Sequence, residues 1–230
     1  MMKDNPLLLD KHIVERAEAL GSALLADGMK GMGIEMDGCM CSDVMPITPS
    51  MKMAGTALTV ETDDGDNFPI HVATYAGGEG YVMVIDGKNC SYRPYFGELI
   101  ASAAKAVGFR GMVCDGLVRD RDGCSELGLP VFARGFLQRG PVKKNPGKIN
   151  EPIRCAGIMV NPGDLVVGDC DGVTVVPREL VEEIIKKAED KLAYEQKRIK
   201  TITEYNEAKK NGNPLPELAP KWVLDMLNAQ

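Results

Sequence analysis

The amino-acid sequence predicts an α/β domain, and three observations carry that prediction. Residues 80–86 (GYVMVID) and 111–115 (GMVCD) are continuous apolar runs, typical of strands buried on both faces. Between them, residues 98–107 (ELIASAAKAV) are Ala-rich and helical, with Gly97 before and Gly108 after. Residues 164–177 (DLVVGDCDGVTVVP) hold two apolar strands around Gly-Asp-Cys-Asp-Gly, a hairpin or tight β-arch. Strands alternating with helices are the pattern of α/β architecture.

The remaining elements follow in order. Residues 13–25 place apolar side chains at helical spacing, so an amphipathic helix is expected there, ended by Asp27-Gly28 and by Gly31 and Gly33. The Gly/Met/Cys-rich stretch to Pro49 has few β-branched residues and reads as irregular, close-packed backbone. Its methionines between Met29 and Met53 read as core or loop filler. Residues 54–61 (AGTALTVE) form a strand closed by the acidic turn Asp63-Asp64-Gly65-Asp66. A helix-like segment covers 69–75, and a short strand covers 129–133. Residues 140–152 are a Pro/Gly/Lys-rich loop, followed by a strand at 158–160. Residues 178–206 make a long charged helix whose apolar residues form one stripe, so it packs with one face. The expected organisation is one domain over residues 1–206 and a Pro-rich tail over 207–230. The tail's apolar patch around Trp222 would dock on its own domain or on a neighbouring subunit.

Composition narrows the function. The chain has 230 residues, 44% of them hydrophobic, which suits one domain with an appendage and is too apolar for a solvated coil. No apolar run of membrane-spanning length exists, and the first ten residues mix charges with a short Leu run, unlike a secretory signal. The net charge of −6 argues against nucleic acid, whose phosphates select Lys and Arg. The 7 cysteines, with no CxxC, read as free thiols in a reducing cytoplasm, Cys114 and Cys155 as core filler. Zinc held by Cys39, Cys41 and His71 would lack a fourth ligand and metal-site spacing.

Chemistry concentrates between Gly97 and Asp122. Gly97 lets a loop approach a ligand, and the amides of Glu98, Leu99 and Ile100 are the free N–H groups of a helix's first turn, which favour an anion. The strand 111–115 should lie beside that helix. Asp115, Arg119 and Asp120 should then emerge at the same helix N-terminus, because ligands in α/β sheets collect at strand C-termini. A carboxylate beside a guanidinium suits a metal plus an anionic oxygen substrate. The plain alternative is a water-filled helix end, an Asp-Gly turn and a solvated Arg-Asp-Arg-Asp loop.

These residues resemble a known family. Gly97-Glu98-Leu99-Ile100 followed by Asp115-Gly116-Leu117-Val118-Arg119-Asp120, then Asn161-Pro162-Gly163-Asp164 through Gly168-Asp169-Cys170-Asp171-Gly172-Val173 and Pro177, is similar to the RraA-like signature. That family contains divalent-metal 4-hydroxy-4-methyl-2-oxoglutarate aldolases and protein regulators of ribonuclease E. The resemblance covers roughly residues 15–200. It implies an α/β/β/α sandwich like the swivelling phosphohistidine domains, assembled as a homotrimer or dimer of trimers. By position, Gly97, Glu98, Leu99 and Ile100 would bind the pyruvoyl end of a small 2-oxo acid, Arg119 would bind substrate, and Asp120 would be the ligand of Mg²⁺ or Mn²⁺. Regulators generally lack that aspartate, so Asp120 tilts the reading from regulator to lyase, with oxaloacetate decarboxylation as a second activity. Glu98 departs from the aspartate common in the aldolases. Neither His12 nor His71 lies in the motif, which leaves water held by the metal as the candidate base; Lys105, mid-helix, is not expected to form a Schiff base. Asp169 and Asp171 read as turn chemistry rather than a second metal site, and Glu195 and Glu204 as a solvated face rather than part of a neighbour's site.

Overall fold

In the computed structural model, which describes residues 2–34 and 38–229, the chain forms two compact units, Met1–Ala188 and Glu189–Gln230. Met36 of the Met-rich stretch and Gln230 of the tail lie outside the described residues. In chain order the elements are α1 (Lys11–Lys30), β1 (Met45–Pro46), β2 (Met53–Glu61), α2 (Phe68–Ala76), β3 (Tyr81–Pro94), α3 (Glu98–Ala106), β4 (Gly111–Val118), α4 (Arg121–Leu127) and β5 (Val131–Phe136). Then follow β6 (Lys148–Ile149), β7 (Ile153–Cys155), β8 (Ile158–Val160), β9 (Leu165–Asp169), β10 (Gly172–Val176), α5 (Val181–Asn211) and α6 (Lys221–Asn228).

The main sheet has the order β1-β5-β4-β3-β2-β9-β10, with β6 pairing off β2. β2, β3, β4 and β5 are parallel, and β9 and β1 add antiparallel at either side. Cys39 bridges to Thr174 of β10, and Met40 N–H donates to Val173 O at 3.0 Å just before the chain enters β1. The two ends of the sheet thus approach each other and the sheet nearly closes.

Alternation along each strand sorts side chains between the inside and outside of this sheet. Ala57, Val82, Val84, Val113, Phe132, Val166 and Val175 fill the interior. Leu58, Met83, Ile85 and Met112 point outward and are covered by Ile70 and Ala73 of α2 and by Ile100, Ala101 and Ala104 of α3. Ala54, Leu165 and Val167 meet Val14, Leu25 and Met29 of α1 and Ile184 and Ile185 of α5. Each fully buried Val, Leu or Ile contributes roughly 1.5–3 kcal/mol. Strands buried on both faces explain the unbroken apolar runs. The result is the expected α/β/β/α layering.

Two local outcomes differ from expectation. α1 does not stop at Asp27-Gly28. A Cβ at Gly28 would stand 2.7 Å from Ile184 O, so this glycine is where α5 crosses closely, and the helix runs on to Lys30. α1 is instead kinked at Gly21 (φ 80°), and Asp169 accepts from the freed Ser22 amide at 2.7 Å and from its hydroxyl at 2.6 Å. The loop expected at residues 119–122 turns into α4.

In the second unit, Lys191–Glu195 and Lys200–Glu204 pair one helical turn apart on α5. Arg198 Nη2 donates to Leu218 O at 2.6 Å, and Trp222, Met226 and Leu227 of α6 are exposed. Among the described residues no helix is long and apolar enough to cross a membrane.

Candidate active site

The site forms where the chain leaves β3 and β4. Pairing continues past both strands: Tyr95 N–H donates to Leu117 O at 2.8 Å and Arg119 N–H to Phe96 O at 2.9 Å. Gly97 is thereby laid against Arg119 and Asp120. Tyr95 anchors the arrangement. Its ring packs so closely that a Cβ at Gly87 or Gly116 would reach within 2.6 Å or 2.5 Å of Cε2. Its hydroxyl donates to Gly87 O and accepts from Gly65 N–H at 3.1 Å. Burial pushes the phenol's pKa far up, so it stays a neutral bonding group.

Gly97 precedes α3 with φ −148°, extended backbone that any residue adopts. Its need for glycine is steric: a Cβ there would stand 2.7 Å from Arg119 Cγ and overlap Asp120 Oδ2. Asp120 itself is left-handed (φ 55°, ψ 51°), a conformation costing roughly 1–2 kcal/mol outside glycine and concentrated at functional sites. The twist aims its carboxylate back at α3, where Oδ2 lies 3.3 Å from Glu98 N and 3.4 Å from Arg119 Nε. Both contacts are long, so the carboxylate, 41% exposed, keeps lone pairs available. The amides of Leu99 and Ile100 have no acceptor among the described residues. The Glu98 carboxyl lies over α4, where a Cβ at Gly123 would meet its Cδ at 2.5 Å. Burial, then Asp120, then Glu98 push the Cys124 thiol up to about 11, a sign that both carboxylates project a negative field here.

These groups line a pocket of about 280 Å³. Gly97, Leu99, Ile100, Arg119 and Asp120 all belong to it, as expected; Glu98 does not line it, because its carboxyl lies over Gly123 of α4. Two groups that sequence reasoning had not placed here, His71 of α2 and Lys143, form the facing wall together with Asn67. Burial, and secondarily the Lys143 charge, lower the His71 pKa below its ordinary 6.5. Asp66 brings the wall together: its Oδ2 accepts from Lys144 N–H and Asn145 N–H at 2.9 Å each, and its Oδ1 accepts from Phe68 N–H at 2.9 Å.

Asp115 does not join the site. β4 runs three residues further than expected, to Val118, and Asp115 is buried with its carboxylate taken by Arg134 Nε and Ala156 N–H. Cys39, Cys41 and His71 do not form a metal cluster: Cys39 lies beside β10, Cys41 Sγ accepts from Arg134, and His71 is on α2. Among the described residues the one group of three potential ligands is Asp169, Cys170 and Asp171. There Asp169 accepts from Ser22 and from Asp171 N–H at 3.0 Å, the turn chemistry expected of it. Lys105 is exposed and donates to Leu127 O at 2.5 Å.

Comparison with known proteins adds four findings. The model of the RraA-like family (Aldolase/RraA) matches residues 22–175. A Halalkalibacterium halodurans protein that bears the name "Putative 4-hydroxy-4-methyl-2-oxoglutarate aldolase" is 37% identical over 165 residues, 72% of this chain and 79% of that one. Among solved structures, an uncharacterized Pseudomonas syringae pv. tomato protein aligns with TM-score 0.71 at 26% identity, covering 91% of this chain and 97% of its own. A Streptomyces coelicolor protein, described as an unusual member of the RNase ES inhibitor RraA family, shares the fold with TM-score 0.72 at 24% identity, covering 81% and 96%.

Proposed function

The chain belongs to the RraA-like family, and from that premise we propose that it is a divalent-metal-dependent carbon–carbon lyase. It cleaves 4-hydroxy-2-oxo diacids, such as 4-hydroxy-4-methyl-2-oxoglutarate, to pyruvate, and decarboxylates oxaloacetate at the same site. The observation that carries this reading is the Asp120 carboxylate, strained into left-handed backbone and short of firm partners, beside Arg119 and the free amides of α3.

The donor set fits Mg²⁺ or Mn²⁺. Asp120 offers hard oxygen, Glu98 adds a second carboxylate nearby, and no cage of protein ligands surrounds them among the described residues, which suits cations that retain much of their water. Such a cation, when bound, supplies Lewis-acid stabilisation to the keto oxygen of the substrate.

The chain's own groups bind the substrate and stabilise its charge, while the C4 hydroxyl gives its proton to water and the pyruvate enolate takes one back from water. The amides of Leu99 and Ile100 at the positive end of α3 receive the substrate's C1 carboxylate. Arg119, half-buried and fixed through its own N–H to Phe96 O, points a guanidinium at the C2 oxygen, where negative charge develops as the C3–C4 bond breaks. That charge is the same whether an oxo acid or CO₂ departs, so both reactions share the site. Phe96 and Ile100, nearly fully buried, exclude water from one side.

Asp120→Ala tests the reading. It should abolish turnover and weaken Mn²⁺ binding while circular dichroism and Tm show a retained fold; full activity in that variant removes the metal-ligand assignment. Loss of one charge-stabilising donor in Arg119→Ala should lower kcat by about 100- to 1,000-fold. A protein-binding regulator of the ribonuclease E type would be indifferent to metal and to both substitutions. We also propose a homotrimer or dimer of trimers, which sedimentation velocity tests.

A further inference from the structure

The wall facing α3 carries groups that the enolate chemistry leaves unused. Lys143 lines the pocket and has no ion-pair partner among the described residues. It is nevertheless held in place. Val142 N–H donates to Gly65 O at 2.8 Å, Asn67 N–H donates to Val142 O at 3.0 Å, and Asp66 takes the amides of the two residues after Lys143. Asn67, only 3% exposed, has a side-chain oxygen with no hydrogen-bond partner. His71 follows it one helical turn later on α2 and lines the same pocket.

We propose that Lys143, Asn67 and His71 form the subsite for the far end of a hydroxy-dicarboxylate: Lys143 pairs with the distal carboxylate, and Asn67 Oδ1 accepts from the hydroxyl beside it. This rests on the assignment of α3 and Arg119 to the 2-oxo acid end, and it names what the opposite end of the same pocket reads. Charge supports it: the lining side chains Arg119 and Lys143 are cationic against the single carboxylate of Asp120, so the pocket favours a dianion over a monoanion. Hydrogen bonding supports it independently. A buried acceptor without a donor is unfavourable, and a hydroxyl supplies a donor where a carboxylate cannot. A cation and an unpaired acceptor lining one pocket are therefore complementary to a hydroxy acid. His71, near neutral and half-buried, supplies a further hydrogen bond to the same end.

The test compares two acids of equal length, 2-oxoglutarate and 2-oxopentanoate, which differ by one distal carboxylate. Calorimetric titration with Mg²⁺ present should show 2-oxoglutarate binding about tenfold tighter or more, the effect of one charge-assisted bond. Lys143→Met should reduce that preference to under about threefold while leaving 2-oxopentanoate affinity unchanged, and Lys143→Arg should retain most of it. Asn67→Ala should raise KM for 4-hydroxy-2-oxoglutarate and leave KM for oxaloacetate, which has no hydroxyl, as it was. Equal binding of the two acids by the natural protein, or undiminished preference in Lys143→Met, overturns the subsite. Binding of neither acid, with no turnover, instead overturns the lyase reading on which it rests.

Discussion

Gly97 and Asp120 occupy each other's space: a methyl group on Gly97 would overlap Asp120 Oδ2, and only its absence lets that carboxylate rest 3.3 Å from the first amide of α3. Because Gly97 has an extended φ and the displaced atom ends a flexible side chain, Gly97→Ala should fold normally. It should nonetheless push Asp120 out of position, and a displacement of about 1 Å costs on the order of 100-fold in rate. An unchanged Tm with kcat/KM reduced to that extent is the expected pair of results. Unaltered kcat/KM would mean that the placement of Asp120 does not matter.

Asp66 ties the start of α2 to the segment after Lys143, the two halves of the wall opposite α3. Asp66→Ala leaves the amides of Phe68, Lys144 and Asn145 without their acceptor, at about 0.5–1.5 kcal/mol for each hydrogen bond lost. Hydrogen exchange should accelerate at Lys144 and Asn145 well before it does in β2 or β3. Unchanged protection there would show that the loop is held by other means.

How much of this was visible in the sequence depends on the range of the contacts. β2, β4, β9 and β10 and helix α3 announce themselves through local apolar pattern and glycine punctuation. Helix α4 does not: its seven residues, RDGCSEL, carry one buried side chain, Cys124, too little for a period to register. β3 is longer than its apolar run because Lys88 and Asn89 adopt positive φ and shift its register before pairing resumes at Cys90. In the site, Gly97, Arg119 and Asp120 stand in one short stretch and were legible. His71 and Lys143 were not, since they meet through bonds between residues 65–68 and 142–145, such as Asp66 to Lys144, 78 positions along the chain.

The fold disfavours protonated His71, through burial first and Lys143 second. Its NMR titration midpoint should lie below 6.5 in the natural protein and rise in Lys143→Met while remaining below 6.5. The folded state binds fewer protons at His71 than the unfolded chain, so its contribution to stability is present above about pH 6.5 and lost as pH falls through the folded pKa. A midpoint unmoved by Lys143→Met would separate the two residues.

Thiol reactivity should follow burial. Brief iodoacetamide treatment of the folded protein near pH 8 should label Cys39 and Cys170, which are exposed, and spare Cys114, Cys124 and Cys155, whose pKa values burial raises. Mass spectrometry of the peptides reads the pattern directly; early labelling of Cys114 or Cys155 would contradict the core described above.

Gly28→Ala places a methyl 2.7 Å from Ile184 O and forces α1 and the start of α5 apart. Overpacking of this kind costs about 1–3 kcal/mol. Each 1 kcal/mol lowers Tm by about 2–4 °C in a chain of this size. The specific activity of the folded fraction should not change, since Gly28 is not among the residues lining the pocket.

The central claim is that one carboxylate, one guanidinium and a helix N-terminus generate pyruvate with the help of a divalent cation. Pyruvate release from oxaloacetate and from 4-hydroxy-4-methyl-2-oxoglutarate, measured with Mg²⁺, with Mn²⁺ and with EDTA, tests it most directly. Metal-dependent pyruvate from either substrate, abolished by EDTA and by Asp120→Ala, is the predicted result. No pyruvate under any condition, or release indifferent to EDTA, would contradict it.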